Sequence, residues 1–474
     1  MSFRNPSPHF TLAHQPRIHE LMPIFLQNLA ITIRGLQIAR VRYTSHFRRT
    51  LEELERSVHG PLEALHELQR QRLVGLVDHA RANVPFYRDL PPPSDARDPL
   101  EAIERTLKNI PPLDKNTYAL QPEAFRARNI SRRRLIRDVT SGTTGTALTL
   151  WQTPERVAEK YATVWRQCRS FGVQPRDPHF SFGGNVVAPR SQTRPPFWRR
   201  NAYGRQTLFS VFHMSPANLP SYIDAMHRIP ARYAQGYPSA LHLIARAMLD
   251  AGRPLPRGRF AAVFTSSESL LAFQRDAIEE AFGAPARDYY SSSENLVAMS
   301  ECAARRLHLD MEFGIAEVEP EEETDAYVRG PLLLTGLGNE AAPLFRYRIG
   351  DIGRRAKDPC PCGRPGVTFL AVDGRDDDYV VTPDGSLVGR LDHLFKDQVD
   401  VAEAQILQET KDAIEIQLVP RPGYGDDSRE RLLAQIRSRL GDDIGVTIRR
   451  VEAIAREPNG KFRAVKSRPG RKLR

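Results

Sequence analysis

Cysteine is scarce. Four in 474 residues are too few to staple a secreted scaffold and point to a reducing compartment. Long hydrophobic runs are also missing: the most apolar early stretch, Leu21 to Leu36, is interrupted by Pro23, Gln27, Asn28, Thr32 and Arg34. It falls short of the roughly 20 apolar residues that a transmembrane helix needs. No small-residue cleavage site closes it, so it lacks a signal-peptide plan, and the chain reads as cytoplasmic with no transmembrane segment. An amphipathic helix over 24 to 45 leaves room for peripheral membrane contact. Acidic residues are the scarcer charge, 57 against 68 Lys and Arg, giving a net charge of +11. That excess attracts anions such as nucleotides, but it is diffuse arginine. No helix-turn-helix, zinc-finger or RNA-binding aromatic signature accompanies it, so nucleic acid is not an expected partner. Internal repeats and low-complexity tracts are absent too.

What is present is apolar content (41%) sufficient for a sizeable core, in a chain long enough to split into a large and a small domain. Residues 46 to 90 carry Leu51, Leu54, Val58, Leu62, Leu65 and Leu68, then Leu73 and Leu76, at helical spacing, with Gly60-Pro61 dividing the run into two helices. Thr153-Pro154 is an N-cap and first-turn pair for a helix through Val157, Tyr161, Val164 and Cys168 that Gly172 ends. Short apolar runs such as 260–264 and 331–335 alternate with helical stretches such as 270–282, the rhythm of an α/β domain. The Pro-, Arg-, Gly- and Ser-rich region 175–205 reads as a long loop.

The segment from Asp138 to Leu150 (Asp-Val-Thr-Ser-Gly-Thr-Thr-Gly-Thr-Ala-Leu-Thr-Leu) is a glycine-hydroxyl loop between two β-like runs. Gly142 and Gly145 admit positive φ and let backbone N–H groups approach a ligand, while Thr140, Ser141, Thr143 and Thr144 add hydroxyl donors, a set that suits triphosphate oxygens. No Gly-Lys-Ser/Thr closes it and a strand rather than a helix follows, which excludes a P-loop NTPase. A polar hairpin turn explains the loop alone nearly as well. Tyr289-Tyr290-Ser-Ser-Ser293-Glu294-Asn295 offers an aromatic face for a purine and a carboxylate for Mg²⁺. Asp351, after a strand and Gly350, can accept from both ribose hydroxyls, and Arg375 can donate to sugar or phosphate. Ordinary surface ion pairs are the plain alternative for both. Glu268 either lines the nucleotide pocket or caps the helix beginning near Ser269. His213 is a lone histidine of the kind that usually serves structure.

Taken in order, Thr-Ser-Gly-Thr-Thr-Gly, Tyr-x-x-Ser-Glu, Tyr-x-x-Gly-Asp, Gly-Arg-x-Asp-Asp and a terminal Gly-Lys resemble the adenylate-forming superfamily. Gln71-Arg-Leu73, His79-Ala80, Val84-Pro-Phe-Tyr-Arg88, Ile110-Pro-Pro-Leu-Asp-Lys115, Gly236-Tyr-Pro-Ser239 and Cys360-Pro-Cys-Gly-Arg364 resemble its phenylacetate–CoA ligase group. Gly385, His393-Leu-Phe395, Ala404-Gln405-Ile-Leu-Gln408 and Gly460-Lys-Phe-Arg463 resemble the capsular-polysaccharide-biosynthesis, or CapK, branch and its deazaflavin-coenzyme relatives. The resemblance spans roughly residues 20 to 467. It implies an α/β fold: a large N-terminal adenylate-forming domain of β-sheets and packed helices, plus a small α+β C-terminal subdomain that rotates. The expected divisions are a helical segment 1–95, an ATP- and acyl-binding core 96–375, and a mobile subdomain 376–474 hinged at Asp377. It also implies Mg·ATP and a small carboxylic acid as reactants. Thr140 to Gly145 would hold the leaving phosphates, Tyr290 with Ser293 the adenine side, Glu294 the Mg²⁺, and Asp351 and Arg375 the ribose, while Lys461 would neutralise charge between carboxylate and α-phosphate.

Two departures bear on the reaction. Ser291 follows Tyr290 where the family has glycine. The stretch after Asp378 lacks the Gly-x-Asn-x-x-Pro-x-x-Ile-Glu run of phenylacetate–CoA ligases, which weighs against CoA as the acceptor. The acceptor stays open among thiol, amine and hydroxyl. Transfer of AMP to a hydroxyl, and non-catalytic nucleotide binding, are the competing functions. Separately, Cys302, His308, Cys360 and Cys362 supply the four soft ligands of a Cys₃His structural zinc site, with buried thiols and a surface histidine as the plain alternative. The same arrangement occurs in some members of the phenylacetate–CoA ligase group.

Overall fold

A run of helices opens the fold. The computed structural model describes residues 22–469 except 140–147, 190, 215–216, 376–378, 386, 390, 392–400, 421–422, 453 and 455–464. Helix α1 (Ile24–Arg42) buries Gln27, Ile31, Gly35 and Ile38 on one face and leaves Phe25, Leu29 and Ile33 exposed. Gly35 is required by close approach, since a Cβ there would lie 2.5 Å from the Asn201 side chain. Helix α2 (Ser45–Ser57) is capped by Thr44, and the Gly60-Pro61 break separates it from α3 (Leu62–Asn83), as the leucine spacing predicts. Then come α4 (Pro99–Lys108), α5 (Lys115–Leu120), the antiparallel hairpin β1 (Ile136–Val139) and β2 (Thr149–Gln152), and α6 (Pro154–Ser170). No helix among the described residues is long and apolar enough to cross a membrane.

The chain next lays down β3 (His179–Phe182), β4 (Trp198–Asn201), β5 (Gln206–Phe209), α7 (Leu219–Arg228), β6 (Tyr233–Gly236), α8 (Pro238–Asp250), β7 (Ala262–Ser266), α9 (Ala272–Phe282) and β8 (Ala286–Ser291). It continues through β9 (Ala298–Glu301), β10 (Leu307–Leu309), β11 (Gly314–Val318), β12 (Glu322–Glu323), β13 (Tyr327–Gly336), β14 (Tyr347–Ala356) and β15 (Thr368–Arg375). All of these strands join one sheet in the order β11-β13-β14-β15-β10-β9-β8-β7-β6-β3-β5-β4, with β12 beside β13. Neighbours from β5 to β8 run parallel, and those from β8 to β11 antiparallel. One core cluster packs the antiparallel half against α3 and α4, and a second packs the parallel half against α7, α8 and α9. Region 175–205 corrects the loop expectation. It contains β3 and β4, because Phe180 and Phe182 are wholly buried on one face of a four-residue strand too short to register as alternation.

After β16 (Tyr379–Val381) and β17 (Leu387–Gly389), the chain builds β18 (Val401–Thr410), β19 (Ala413–Pro420), α10 (Asp426–Leu440), β20 (Gly445–Arg450) and β21 (Val465–Ser467). The last four strands form a separate sheet in the order β20-β19-β18-β21 with its own core around Ile406, Ile416, Leu432 and Ile436. This module meets the large sheet through a buried ion pair of Arg439 with Glu268 and a bond from Gln274 Nε2 to the Ser438 carbonyl (3.0 Å), with Leu271 packed on its core.

A buried charge network ties the helical entry to the sheet. Arg166 of α6 donates to Glu312 (2.8 Å), to Asp310 and to the Leu54 carbonyl (3.1 Å). Ser57 also donates to Glu312, and Arg72 to the Glu312 carbonyl (2.7 Å). Burial would raise the Glu312 carboxyl, but its pairing with Arg166 outweighs that and holds it at about 2, below the ordinary 4.5. A depressed carboxylate contributes stability that is complete above its unfolded value and disappears as pH falls through the folded one. Urea midpoints are therefore expected to drop between pH 4.5 and 2, and less steeply in Glu312→Gln. Parallel pH profiles for the two proteins would assign the acid sensitivity elsewhere.

Candidate functional site

The glycine-hydroxyl loop sits on a stem that is fixed on both sides. Hairpin β1–β2 pairs Val139 with Thr149 and Ile136 with Gln152, and Thr153 caps α6 by accepting from the Arg156 N–H (3.1 Å). One turn into α6, the Arg156 side chain is wholly buried. Its guanidinium donates to the carbonyls of Asn295 (2.7 and 3.2 Å), Leu296 (3.3 Å) and Phe313 (3.0 Å), and to Glu159 (3.2 Å), while lying 3.4 Å over the Phe313 ring. Burial lowers it to about 10 despite Glu159. Asn295 donates to the Gln152 side chain and takes a left-handed φ of 54°. The stem is thus bonded directly to the turn that carries Glu294, which is itself buried.

Across the sheet, the Tyr290 hydroxyl at the end of β8 donates to Asp351 Oδ2 (2.7 Å) on β14. Asp351 is 2% exposed, and its second oxygen, Oδ1, is buried without a hydrogen-bond partner. Such an acceptor is one that a sugar hydroxyl would satisfy. The β14–β15 register sets Asp351 opposite Arg375. Tyr290 and Asp351 line a small cleft together with Ser267, Glu268, Asp288 and Val372. Glu268 is therefore not a helix cap: α9 begins at Ala272 behind Leu271, and the Glu268 carboxylate is held by Arg439. Burial, with Glu301 nearby, pushes the Asp288 carboxyl up to about 7. A second, larger cleft adjoins the first, sharing Ser267, Tyr289 and Ser291. His213 lies away from both. It bonds Ser210 (2.7 Å) and the Pro189 carbonyl (3.0 Å) and stacks on Phe197, a structural role.

The four sulfur and nitrogen donors do converge. Cys302 follows β9, His308 is on β10, and Cys360 and Cys362 are on the β14–β15 connection. Their ligand atoms all lie within 4.8 Å of one another, with Cys302 Sγ 3.6 Å from Cys360 Sγ and Cys362 Sγ 3.3 Å from His308 Nε2. Tetrahedral coordination at zinc bond lengths separates its ligands by about 3.5–3.8 Å, so the set fits. Burial, with Arg364, Arg166 and Arg306 around it, lowers His308 to about 3 and keeps the imidazole neutral, as a ligand must be.

Thr140, Ser141, Gly142, Thr143, Thr144, Gly145, Asp377 and Lys461 lie outside the described residues. The structure brings together Tyr290 and Asp351, and it joins the loop stem to Glu294. Ser293 lies between Tyr290 and Glu294 in the same turn. Sequence reasoning missed Arg156, which stands in a helical run like any surface arginine. It also missed Asp288, whose position is apparent only from the parallel β7–β8 pairing.

Residues 380–468 match the CapK C-terminal domain family. The chain is 26% identical over 452 residues to protein CapK of Staphylococcus aureus, covering 94% of this chain and 98% of that protein. It is 23% identical over 441 residues to phenylacetate-coenzyme A ligase of Thermus thermophilus, covering 85% and 97%. A crystal structure of 2-hydroxyisobutyryl-CoA ligase with 2-HIB-AMP and CoA in the thioesterification state shares the fold, with a TM-score of 0.56, 20% identity, and coverage of 87% of this chain and 91% of that one. These relatives support the phenylacetate–CoA ligase-like, CapK-type branch that the motifs imply.

Removing the clamp should be costly. Arg156→Met removes the guanidinium from the buried carbonyls of Asn295 and Leu296 and leaves that of Phe313 with only the Leu337 N–H, and the expected loss is roughly 3–5 kcal/mol of stability by urea titration. A change under about 1 kcal/mol would show that the loop stem and the Glu294 turn are joined by other contacts.

Proposed function

As a chain of the CapK-type, phenylacetate–CoA ligase-like branch, we propose that this protein activates a small carboxylic acid with Mg·ATP and passes the acyl group to a thiol, amine or hydroxyl. The supporting observation is the Asp351 carboxylate, one oxygen held by Tyr290 and the other buried and unpartnered, at the edge of a cleft, together with the loop stem bonded to the turn that carries Glu294. In this proposal Asp351 accepts from the ribose, with Arg375 beside it in register. Tyr290 and Ser293 face the adenine side, Glu294 ligates Mg²⁺, and the hydroxyls and N–H groups of Thr140 to Gly145 hold the β- and γ-phosphates. The substrate carboxylate attacks the α-phosphorus, the bond to the bridging oxygen breaks, and pyrophosphate leaves. Lys461 offsets the charge that accumulates between carboxylate and phosphate. The acyl–phosphate mixed anhydride then yields its acyl group to the acceptor, with AMP as leaving group. The 2-hydroxyisobutyryl-CoA ligase structure carries CoA. CoA is one of the thiols to test here.

The module of 376–474 rotates about Asp377 in this scheme, delivering Lys461 for the first half-reaction and withdrawing for the second. The Arg439–Glu268 pair is the contact that such a rotation would release. The Cys302, His308, Cys360 and Cys362 set holds structural Zn²⁺, which fastens the β9–β10 turn to the β14–β15 connection and supplies no chemistry to the reaction.

Acid-dependent exchange of labelled pyrophosphate into ATP tests the activity directly. Lys461→Ala is expected to lower exchange by at least about 100-fold, and undiminished exchange would remove Lys461 from the mechanism. A stable AMP ester found by mass spectrometry, with no acid-dependent exchange, would instead favour AMP transfer to a hydroxyl. For the metal, elemental analysis of protein purified without chelator should give one zinc per chain, lost in Cys360→Ser together with a lower melting temperature. Wild-type protein free of zinc would overturn the assignment.

A further inference from the structure

The larger cleft has a chemistry of its own. It opens at the carboxyl ends of parallel strands β3, β6, β7 and β8, where doubly wound sheets place their ligands. Register sets Ser181 beside Gln235 on adjacent strands, and Ser266 ends β7 next to them. Gly236 is the position where a side chain is impossible, because a Cβ would sit 2.3 Å from the Phe182 carbonyl oxygen. From the other side α6 presents Lys160, and α1 ends at Arg42, whose guanidinium lies 3.9 Å over the Tyr161 ring. No acidic residue among the described ones lines the cleft.

The Lys160 ammonium makes no hydrogen bond or ion pair with any described residue, and the half-buried side chain lines the cleft. Burial draws its ammonium down to about 8, although Asp138 opposes the shift. Ser181, Gln235 and Ser266 likewise line the cleft with no side-chain hydrogen bond to any described residue. A cleft built for a fatty or aryl acid is lined mainly by apolar side chains with few polar groups. Here the lining is mixed: Val164, Phe264 and the Tyr161 and Tyr289 rings offer apolar contact, but a wholly hydrocarbon ligand would strip water from an ammonium, an amide and two hydroxyls without replacing those hydrogen bonds.

We infer that this cleft takes a small acid rich in hydroxyls, of the sugar-acid kind, with Lys160 pairing its carboxylate and Gln235, Ser181 and Ser266 bonding its hydroxyls. This rests on the acid-activating function proposed above, for which it names the substrate class. The junction at Ser267, Tyr289 and Ser291 connects this cleft to the one beside Asp351, so an acid in the first has a path for its carboxylate to the nucleotide. A site whose groups hydrogen-bond a substrate hydroxyl discriminates strongly against the analogue that lacks it.

The test is pyrophosphate exchange by the full chain with glucuronate, gluconate and glycerate set against hexanoate, phenylacetate and butyrate. The expected result is a kcat/KM at least about 10-fold higher for the best hydroxylated acid than for the best unhydroxylated one. Gln235→Leu should erase most of that preference through a lower kcat/KM for the hydroxylated acids. Lys160→Met should lower exchange with every acid by about 10–100-fold, with partial rescue in Lys160→Arg. A wild-type preference for hexanoate or phenylacetate overturns the inference, as does a folded Gln235→Leu with an unaltered ratio, and both leave acid activation standing. Exchange with none of the six acids tells against acid activation itself and removes this inference with it.

Discussion

One buried guanidinium holds the site's two halves in register. The nucleotide-type loop belongs to a two-stranded hairpin outside the large sheet, and the acidic turn belongs to the sheet's centre. Nothing in the strand pairing connects them. Arg156 does, because a planar fork of five donors can satisfy several carbonyl groups that converge where the turn at 295–296 passes the start of β11. A lysine could reach one or two of them, and an apolar residue none. The left-handed Asn295 and its bond to Gln152 complete the joint, so these hydrogen bonds add to the burial of Leu148 and Leu150 in the core in setting the orientation of the loop stem.

The sheet itself explains why the clefts lie where they do. Its parallel half ends four strands on one side, and small or polar residues at those ends leave space above them. Its antiparallel half returns the chain through β14, whose Asp351 reaches the Tyr290 hydroxyl from the far side of β15, β10 and β9. The change from parallel to antiparallel occurs at β8, and Tyr289, Tyr290 and the Glu294 turn lie immediately beyond it. Residues far apart in the chain meet there because that strand borders both halves.

Much of this was legible in the order of residues. Leucine spacing marked α2 and α3 and the break between them, Thr153-Pro154 marked the start of α6, and motif order pointed to Tyr290, Glu294 and Asp351 as one group. The cysteine and histidine spacing marked a cluster whose donors do converge. What stayed hidden depends on tertiary placement. Arg156 differs from its neighbouring arginines only in being buried, Glu268 reads as a pocket wall or a cap alike until the onset of α9 and the position of Arg439 are known, and β3 is hidden among prolines and arginines. The polarity of the larger cleft is equally invisible in sequence, since Lys160, Ser181 and Gln235 share no pattern and are united only by strand register and by the face of α6.

Among the described residues, the seam between the two sheets carries Arg439 on Glu268 and an amide on the Ser438 carbonyl beside the apolar contact of Leu271. Glu268 borders the smaller cleft, so the position of Arg439 bears on the potential at that entrance. While the module rests against the β7–α9 loop, a guanidinium stands beside the carboxylate and softens its repulsion of an anion. Any posture that parts the two takes one positive charge away from the gateway, making a polyphosphate less welcome inside and helping its departure.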